Sequence, residues 1–269
     1  MKTVRIQGGL GNQLFCLAFA RSLALLAGET VRLDVSSYRG DRFGRTFDLA
    51  DLAARVGGLA LADHPVLGHR LTSALARSMP FSVPGLTVES RRGRQITGLD
   101  GLADRGGYFD GYWQDERFIH DPATLRFRVR DFIRAQGPPV RPARVVLHYR
   151  TYKEERLTDD RRAPGADYFR AAIGLIAERA GAVEWVELVS DDADLALAMI
   201  GDIGCPIVPA PAVGPYRDLA AMVNADALIL TNSSFSWWGG FCSDARTVVY
   251  PARRRLHHYP QPAGGFVCL

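Results

Sequence analysis

The sequence predicts an α/β protein of two domains, each built on a parallel sheet, and three observations lead there. The chain opens with a strand, a glycine turn, a helix and a second strand, from "TVRIQGG" to "TVRLDV". From Arg144 onwards, short apolar runs alternate with helical patterns almost without a break. Between the two lies "AQGPPVRPAR", residues 135–144, where Pro138, Pro139 and Pro142 stiffen the chain and cannot continue a helix. Strand–helix alternation of this kind makes parallel sheets covered by helices.

Each element follows from local pattern. "TVRIQGG" is the first strand. A helix from Asn12 to Ala27 carries Leu14, Leu17, Ala18 and Leu25 in one apolar stripe and stops at Gly28. Residues 50–107 are less regular, with turn signals such as "PG", "TG" and "DG". "GGYFDGYWQDERFI" resumes as an aromatic strand and turn. The predicted domains are 1–140 and 141–269. In the second, "RVVLHYR" is a strand, and "DYFRAAIGLIAERAG" is a helix with Asp167 as N-cap and Gly181 as its stop. Strands "EWVELVS", "PIVP" and "DALILT" then alternate with helices "DADLALAMIG", "YRDLAAMVNA" and "SFSWWGGFCSD". "TVVYP" reads as the last strand.

The bulk composition narrows the function. Of 269 residues, 47% are apolar and 23% charged, as in ordinary soluble globular proteins. No segment reads as long and apolar enough to span a bilayer, and the N-terminus enters a strand with no hydrophobic leader, so neither a membrane span nor a signal peptide is expected. Cys16, Cys205, Cys242 and Cys268 have no paired or metal-ligand spacing, which points to reduced thiols in the cytoplasm. The net charge is +4 and the pI about 9.0, with arginines clustered at 91–94, 126–130 and 253–255. Such clusters are usually solvated faces, and they could favour an anionic ligand or an acidic membrane surface. No nucleic-acid signature accompanies them, so no nucleic-acid partner is expected.

Four loops carry groups with chemical potential. In "GGLGNQLF", Gly9 and Gly11 let backbone amides approach a phosphate at a helix start, and the amides of Asn12 and Gln13 suit sugar hydroxyls or a carbonyl. The dinucleotide fingerprint lacks its third glycine, although Asp34 after the second strand partly fits that template. In "VVLHYR", His148 and Arg150 alternate with Tyr149 and would form an anion clamp, against the plainer reading of a core histidine and a solvated arginine. In "LVSDDAD", Asp191 and Asp192 read first as helix caps and next as nucleoside contacts, with the metal-binding DxD triplet Asp192-Ala193-Asp194 as the last reading. In "TNSSFSWWGGF", the run Asn232, Ser233, Ser234, Phe235 and Ser236 ends an apolar strand, where open α/β sheets bind ligands. It reads as a diphosphate cradle, with Trp237 and Trp238 packing the base of the next helix.

Taken together, "GGLGNQLF", "FDGYWQDERFI", "VVLHYR" with "LVSDD", and "TNSSFSWWGGF" resemble bacterial α-1,2-fucosyltransferases of glycosyltransferase family 11, in this order and over most of the chain. The resemblance implies a GT-B-like pair of Rossmann-like domains whose parallel sheets face a cleft. It implies GDP-β-L-fucose as donor, a galactoside acceptor attacked through its 2-hydroxyl, inversion, and no cofactor or metal. The C-terminal domain would hold GDP and the N-terminal domain the acceptor. Arg150 would clamp the pyrophosphate with the Ser233–Ser236 turn, Asp191 would face the nucleoside, and Gly11 with Asn12 would approach the donor. The family pattern His-x-Arg-Arg-Gly-Asp is broken here, because Thr151 replaces the second arginine and Lys153 takes the place of the acid. Glu154 and Asp34 are the candidates for general base. Rival expectations are a different GDP-sugar, a non-catalytic nucleotide-sugar or glycan-binding module, and an NAD-dependent oxidoreductase. The expected location is the cytoplasm, with the arginine clusters favouring the inner membrane face.

Overall fold

The computed structural model describes residues 1–41, 43–62, 84–91, 94–96, 98–136, 145–151, 164–252 and 266–269. The chain divides into two compact units, Met1–Arg128 and Val129–Leu269. Each is an α/β unit on an all-parallel sheet.

In the first unit, strands β1 (Lys2–Arg5), β2 (Val31–Asp34), β3 (Leu59–Leu61), β4 (Leu86–Val88) and β7 (Gly107–Asp110) lie in the order β3-β2-β1-β7-β4. A small antiparallel pair, β5 (Ser90–Arg91) and β6 (Arg94–Gln95), stands apart from that sheet. Helix α1 (Leu10–Ala27) starts two residues earlier than expected and ends, as expected, at Gly28 in the left-handed region. Almost all of it is buried, since Phe19 stacks on Trp113 (centroids 3.9 Å) and meets Phe109 and Phe118 edge-on. By length and composition α1 could cross a bilayer, which corrects the expectation that no segment could; 78% of it lies inside the unit. The irregular middle contributes α2 (Ala50–Val56) along with β3 to β6.

In the second unit, β8 (Val145–Tyr149), β9 (Val186–Ser190), β10 (Ile207–Pro209), β11 (Ala227–Ile229), β12 (Thr247–Tyr250) and β13 (Phe266–Cys268) lie in the order β10-β9-β8-β11-β12-β13. The first three strands step outward from β8, and the chain then crosses to its other side. This is the Rossmann strand order, with its topological switch point between β8 and β11. Helices α4 (Ala166–Ala180) and α5 (Ala193–Ile200) bury Phe169, Ala172, Ile176, Ala196 and Ile200 against Val145, Leu147 and Tyr149. Helices α6 (Pro215–Val223) and α7 (Ser234–Cys242) pack on each other, with Trp237 and Trp238 fully buried as expected.

Two local expectations need correction. Asp167 does not cap α4: Gly165 holds that position without a side-chain bond, and Asp167 sits in the first turn paired with Arg170. "TVVYP" is not the last strand, because β13 pairs with β12 beyond it. The division between units falls inside helix α3 (Pro122–Gln136), ahead of the proline-rich stretch, of which residues 137–144 lie outside the described residues. The C-terminal part of α3 is tied to the second unit, through Arg130 to Asp244, Arg134 to Asn224 and Phe132 edge-on to Tyr216. Arginines of the 126–130 cluster are thus partly spent within the fold, since Arg128 also donates to the Arg55 carbonyl. The 253–255 cluster lies outside the described residues.

One close backbone approach in the first unit requires a glycine. Gly107 has φ +104°, and a Cβ there would lie 2.1 Å from the Gly85 carbonyl oxygen ahead of β4. Neither backbone can yield, so Gly107→Ala is expected to destabilise the protein by more than about 2 kcal/mol, read as a lowered urea midpoint with an unchanged slope.

Candidate functional site

The carboxyl ends of β8, β9 and β11 come together at the switch point of the second unit. Parallel pairing sets Leu147 beside Ile229 and Tyr149 beside Ser190, so the residues that follow these strands emerge side by side. Arg150 leaves β8 and donates its backbone N–H to Thr231 Oγ1 at 3.4 Å. Its guanidinium Nη1 reaches Asp191 Oδ2 at 3.1 Å, with side chains 25% and 17% exposed. Thr151 completes the arrangement: its N–H donates to Asp191 Oδ1 at 2.8 Å and its hydroxyl to Oδ2 at 2.9 Å. Asp191 is therefore held by two adjacent residues of the neighbouring strand end and in turn orients Arg150. Thr151, which the family pattern marks as a departure, supplies two of these bonds, and no local sequence signal foretold that.

The next turn supplies a helix N-terminus. Ser233 caps α7, its Oγ accepting from Phe235 N at 3.2 Å. A hydroxyl that accepts in a cap still has its own O–H to donate. Asn232 and Ser233 are buried, whereas Ser234 and Phe235 are half-buried at the opening of the helix. The positive end of the α7 dipole thus lies at the strand edge that also bears Arg150. Asp192 caps α5, accepting from Leu195 N at 3.0 Å, as the plainer reading of "LVSDDAD" expects.

Two expectations in this unit are corrected. His148 and Ser236 face each other, Nδ1 to Oγ at 2.5 Å, both buried. Burial pushes the imidazole down to about 3, with Asp191 opposing that shift and Arg150 adding to it, so His148 is neutral and cannot act as half of a cationic clamp. The Ser236 hydroxyl is correspondingly consumed within the fold. Glu154 and Lys153 lie outside the described residues.

In the first unit, α1 begins at the carboxyl end of β1, next to its own switch point between β1 and β7. Gly8 has φ +82° and passes so close to Asn12 that a Cβ would meet Nδ2 at 2.5 Å. Gly9 is the N-cap of α1, and Gly11 is buried in its first turn. Asn12 is half-buried and accepts from Gln114 Nε2 at 2.5 Å. Gln13 is committed within the fold: it is buried, donating to the Thr46 carbonyl at 2.7 Å and accepting from Asp48 N at 3.1 Å, which pins the loop after β2. Asp34 is likewise no base, because it is buried and accepts from Tyr108 Oη at 2.6 Å and Ser36 N at 2.9 Å.

Sequence reasoning missed Glu89. It follows β4, is half-buried, and accepts from Tyr112 N (2.6 Å) and Trp113 N (3.0 Å) through Oε2. Desolvation, reinforced by Asp110 and Asp115, holds its carboxyl above the usual range despite those two bonds. Asp110 itself is fully buried and tied to Arg5 and Gln7.

No family model and no curated protein matches this sequence. Solved structures do show likenesses. POFUT1 in complex with GDP is 14% identical, with a TM-score of 0.45, over 98% of this chain and 97% of that one. NodZ α-1,6-fucosyltransferase co-crystallised with GDP is 15% identical, with a TM-score of 0.49, over 92% and 93% of the respective chains. The E. coli heptosyltransferase WaaC with ADP is 10% identical, with a TM-score of 0.49, over all of this chain and 93% of that one.

The neutral His148 sets a pH dependence. Its folded value, about 3, lies below the ordinary 6.5, so the unfolded chain takes up a proton first as pH falls. Stability is therefore full above pH 6.5 and is lost between 6.5 and 3, by on the order of 1 kcal/mol per pH unit from this group. Urea melts of the wild type should show that slope, and His148→Gln should reduce it.

Proposed function

We propose that this protein is an inverting glycosyltransferase of GT-B type, moving L-fucose from GDP-β-L-fucose to the 2-hydroxyl of a galactoside during surface-glycan synthesis. One observation carries the reading. At the switch point of a Rossmann-ordered sheet, a guanidinium oriented by a carboxylate stands at the same edge as a serine-capped helix N-terminus. That is an arrangement for a diphosphate: the fork of Arg150 can bind phosphate oxygens in pairs, and α7 adds amide dipoles and the Ser233 O–H. The choice of fucose and of a galactoside rests on the motif resemblance.

The chemistry suits these groups. As the anomeric C–O bond breaks, negative charge gathers on the leaving diphosphate while the ring becomes cationic. Preorganised donors at the phosphate stabilise that separation more than they stabilise the bound donor. Arg150 fills this part in our assignment, since Asp192, the first acid of the DxD triplet, is committed to capping α5. The acceptor hydroxyl must be held in line on the opposite face of the sugar. The cytoplasmic face of the inner membrane, where activated sugars and growing glycans meet, is the proposed place of work.

A donor screen tests the function, with the purified protein, GDP-fucose or GDP-mannose, a galactoside, and mass spectrometry of the product. Fucosylated product is expected. Mannosylated product alone would replace the donor, and GDP binding with neither product would reduce the protein to a binding module. In the productive reaction, Arg150→Ala should lower kcat/KM by about 100-fold or more while leaving the thermal midpoint nearly unchanged.

A further inference from the structure

Thr151 stands where the family pattern has its second arginine, and its contacts show what it does instead. It is buried, and its amide and its hydroxyl both donate to one neighbour, Asp191. The N–H meets Oδ1 at 2.8 Å and the hydroxyl meets Oδ2 at 2.9 Å. A single hydrogen bond would leave the carboxylate free to turn about its last bond, where torsional preference is broad. Two bonds from one residue, one to each oxygen, fix the plane of the group.

The backbone on either side is fixed as well. Ser190 Oγ donates to the Asp192 carbonyl at 3.1 Å and accepts from Asp192 N at 3.2 Å, which closes the turn carrying Asp191. On the neighbouring strand end, Thr231 Oγ1 accepts from the amide of Arg150. Asp191 is exposed as a residue, yet its side chain is only 17% exposed. The carboxylate is therefore folded inward, where Oδ2 takes the Thr151 hydroxyl together with Nη1 of Arg150. All of these contacts lie within the second unit.

We propose that Thr151 is a positioning residue for diphosphate binding, acting through Asp191 on the guanidinium of Arg150. This rests on the glycosyltransferase reading. In this assignment Asp191 aims the arginine rather than facing the nucleoside, and Thr151 itself touches no ligand. A guanidinium carries its N–H donors in a rigid planar fork, so fixing one nitrogen directs the others. An arginine already held in its binding orientation loses less rotamer freedom when the phosphates arrive, and that saving appears as affinity.

Thr151→Val removes the hydroxyl while keeping the branched shape and the backbone bond to Asp191 Oδ1. The dissociation constant of GDP, measured by calorimetry on the full chain, should rise about tenfold. Thr151→Ser, which keeps a hydroxyl, should stay within about threefold of the wild type. A double-mutant cycle separates positioning from mere support of the fold: with Arg150→Ala already present, Thr151→Val should weaken GDP binding no further. Equal weakening in both backgrounds would overturn the proposal. So would a folded Thr151→Val protein that binds GDP as tightly as the wild type while Arg150→Ala does not, and the transferase reading would then stand. A wild type with no affinity for GDP would overturn both. If Thr151→Val does not fold, Asp191→Asn decides in the same cycle: affinity should fall only where Arg150 is present, and equal loss without it would put Asp191 on the ligand itself and sink the proposal.

Discussion

Asp191 is the constraint on which the candidate site depends. Arg150 at a strand end would, left to itself, wave through many rotamers in water, and its charge would serve no particular point in space. Asp191 removes that freedom, and it can do so only because Thr151 holds both of its oxygens from the neighbouring strand end. The ion pair itself, on side chains partly open to solvent, adds little to stability. Its effect is orientation, which matters where charge must be met as it develops. The register of β8 against β9 and β11 comes first, because it brings Thr151 within hydrogen-bonding distance of Asp191 and the Arg150 amide within reach of Thr231.

The same sheet edge shows how polar groups are divided between scaffold and chemistry. His148 and Ser236 satisfy each other in the interior, where desolvation keeps the ring neutral. They join β8 to α7 and so set the height of that helix start above the strands. Ser233 one turn earlier caps the helix and keeps a donor to spare. In the first unit, Gln13 and Asp34 are scaffold in the same sense, each with its polar atoms bonded to chain segments that would otherwise be loose. At the carboxyl edge of that sheet, Asn12, Gln114 and Glu89 are half-buried rather than enclosed among the described residues.

Much of the fold could be read in advance because its signals are local. Gly28 and Gly181 end helices where the left-handed region or the loss of a side chain is required, and Asp192 caps α5 through an amide three residues on. The apolar strands of a parallel sheet declare themselves because both faces are covered. The strand "TVVYP" was misread as the last because β13 is only three residues, recognisable by its pairing with β12 rather than by its own pattern. Prolines mark where a helix cannot continue, whereas the packing of Phe132 and the bonds of Arg130 tie the end of α3 to the second unit.

The site divides along the same line. The sequence by itself determined which strand ends carry polar groups, that Arg150, Asp191 and the serine run sit at them, and that the paired tryptophans belong to the core. The tertiary structure alone decided which of those groups are spent and which are left. His148 meets Ser236 across 88 residues, Gln13 meets Asp48 across 35, and Glu89 meets Trp113 across 24. A side chain's role depends on whether its hydrogen-bonding capacity is already satisfied, and contacts between residues so far apart in the chain leave no periodicity for a sequence to show.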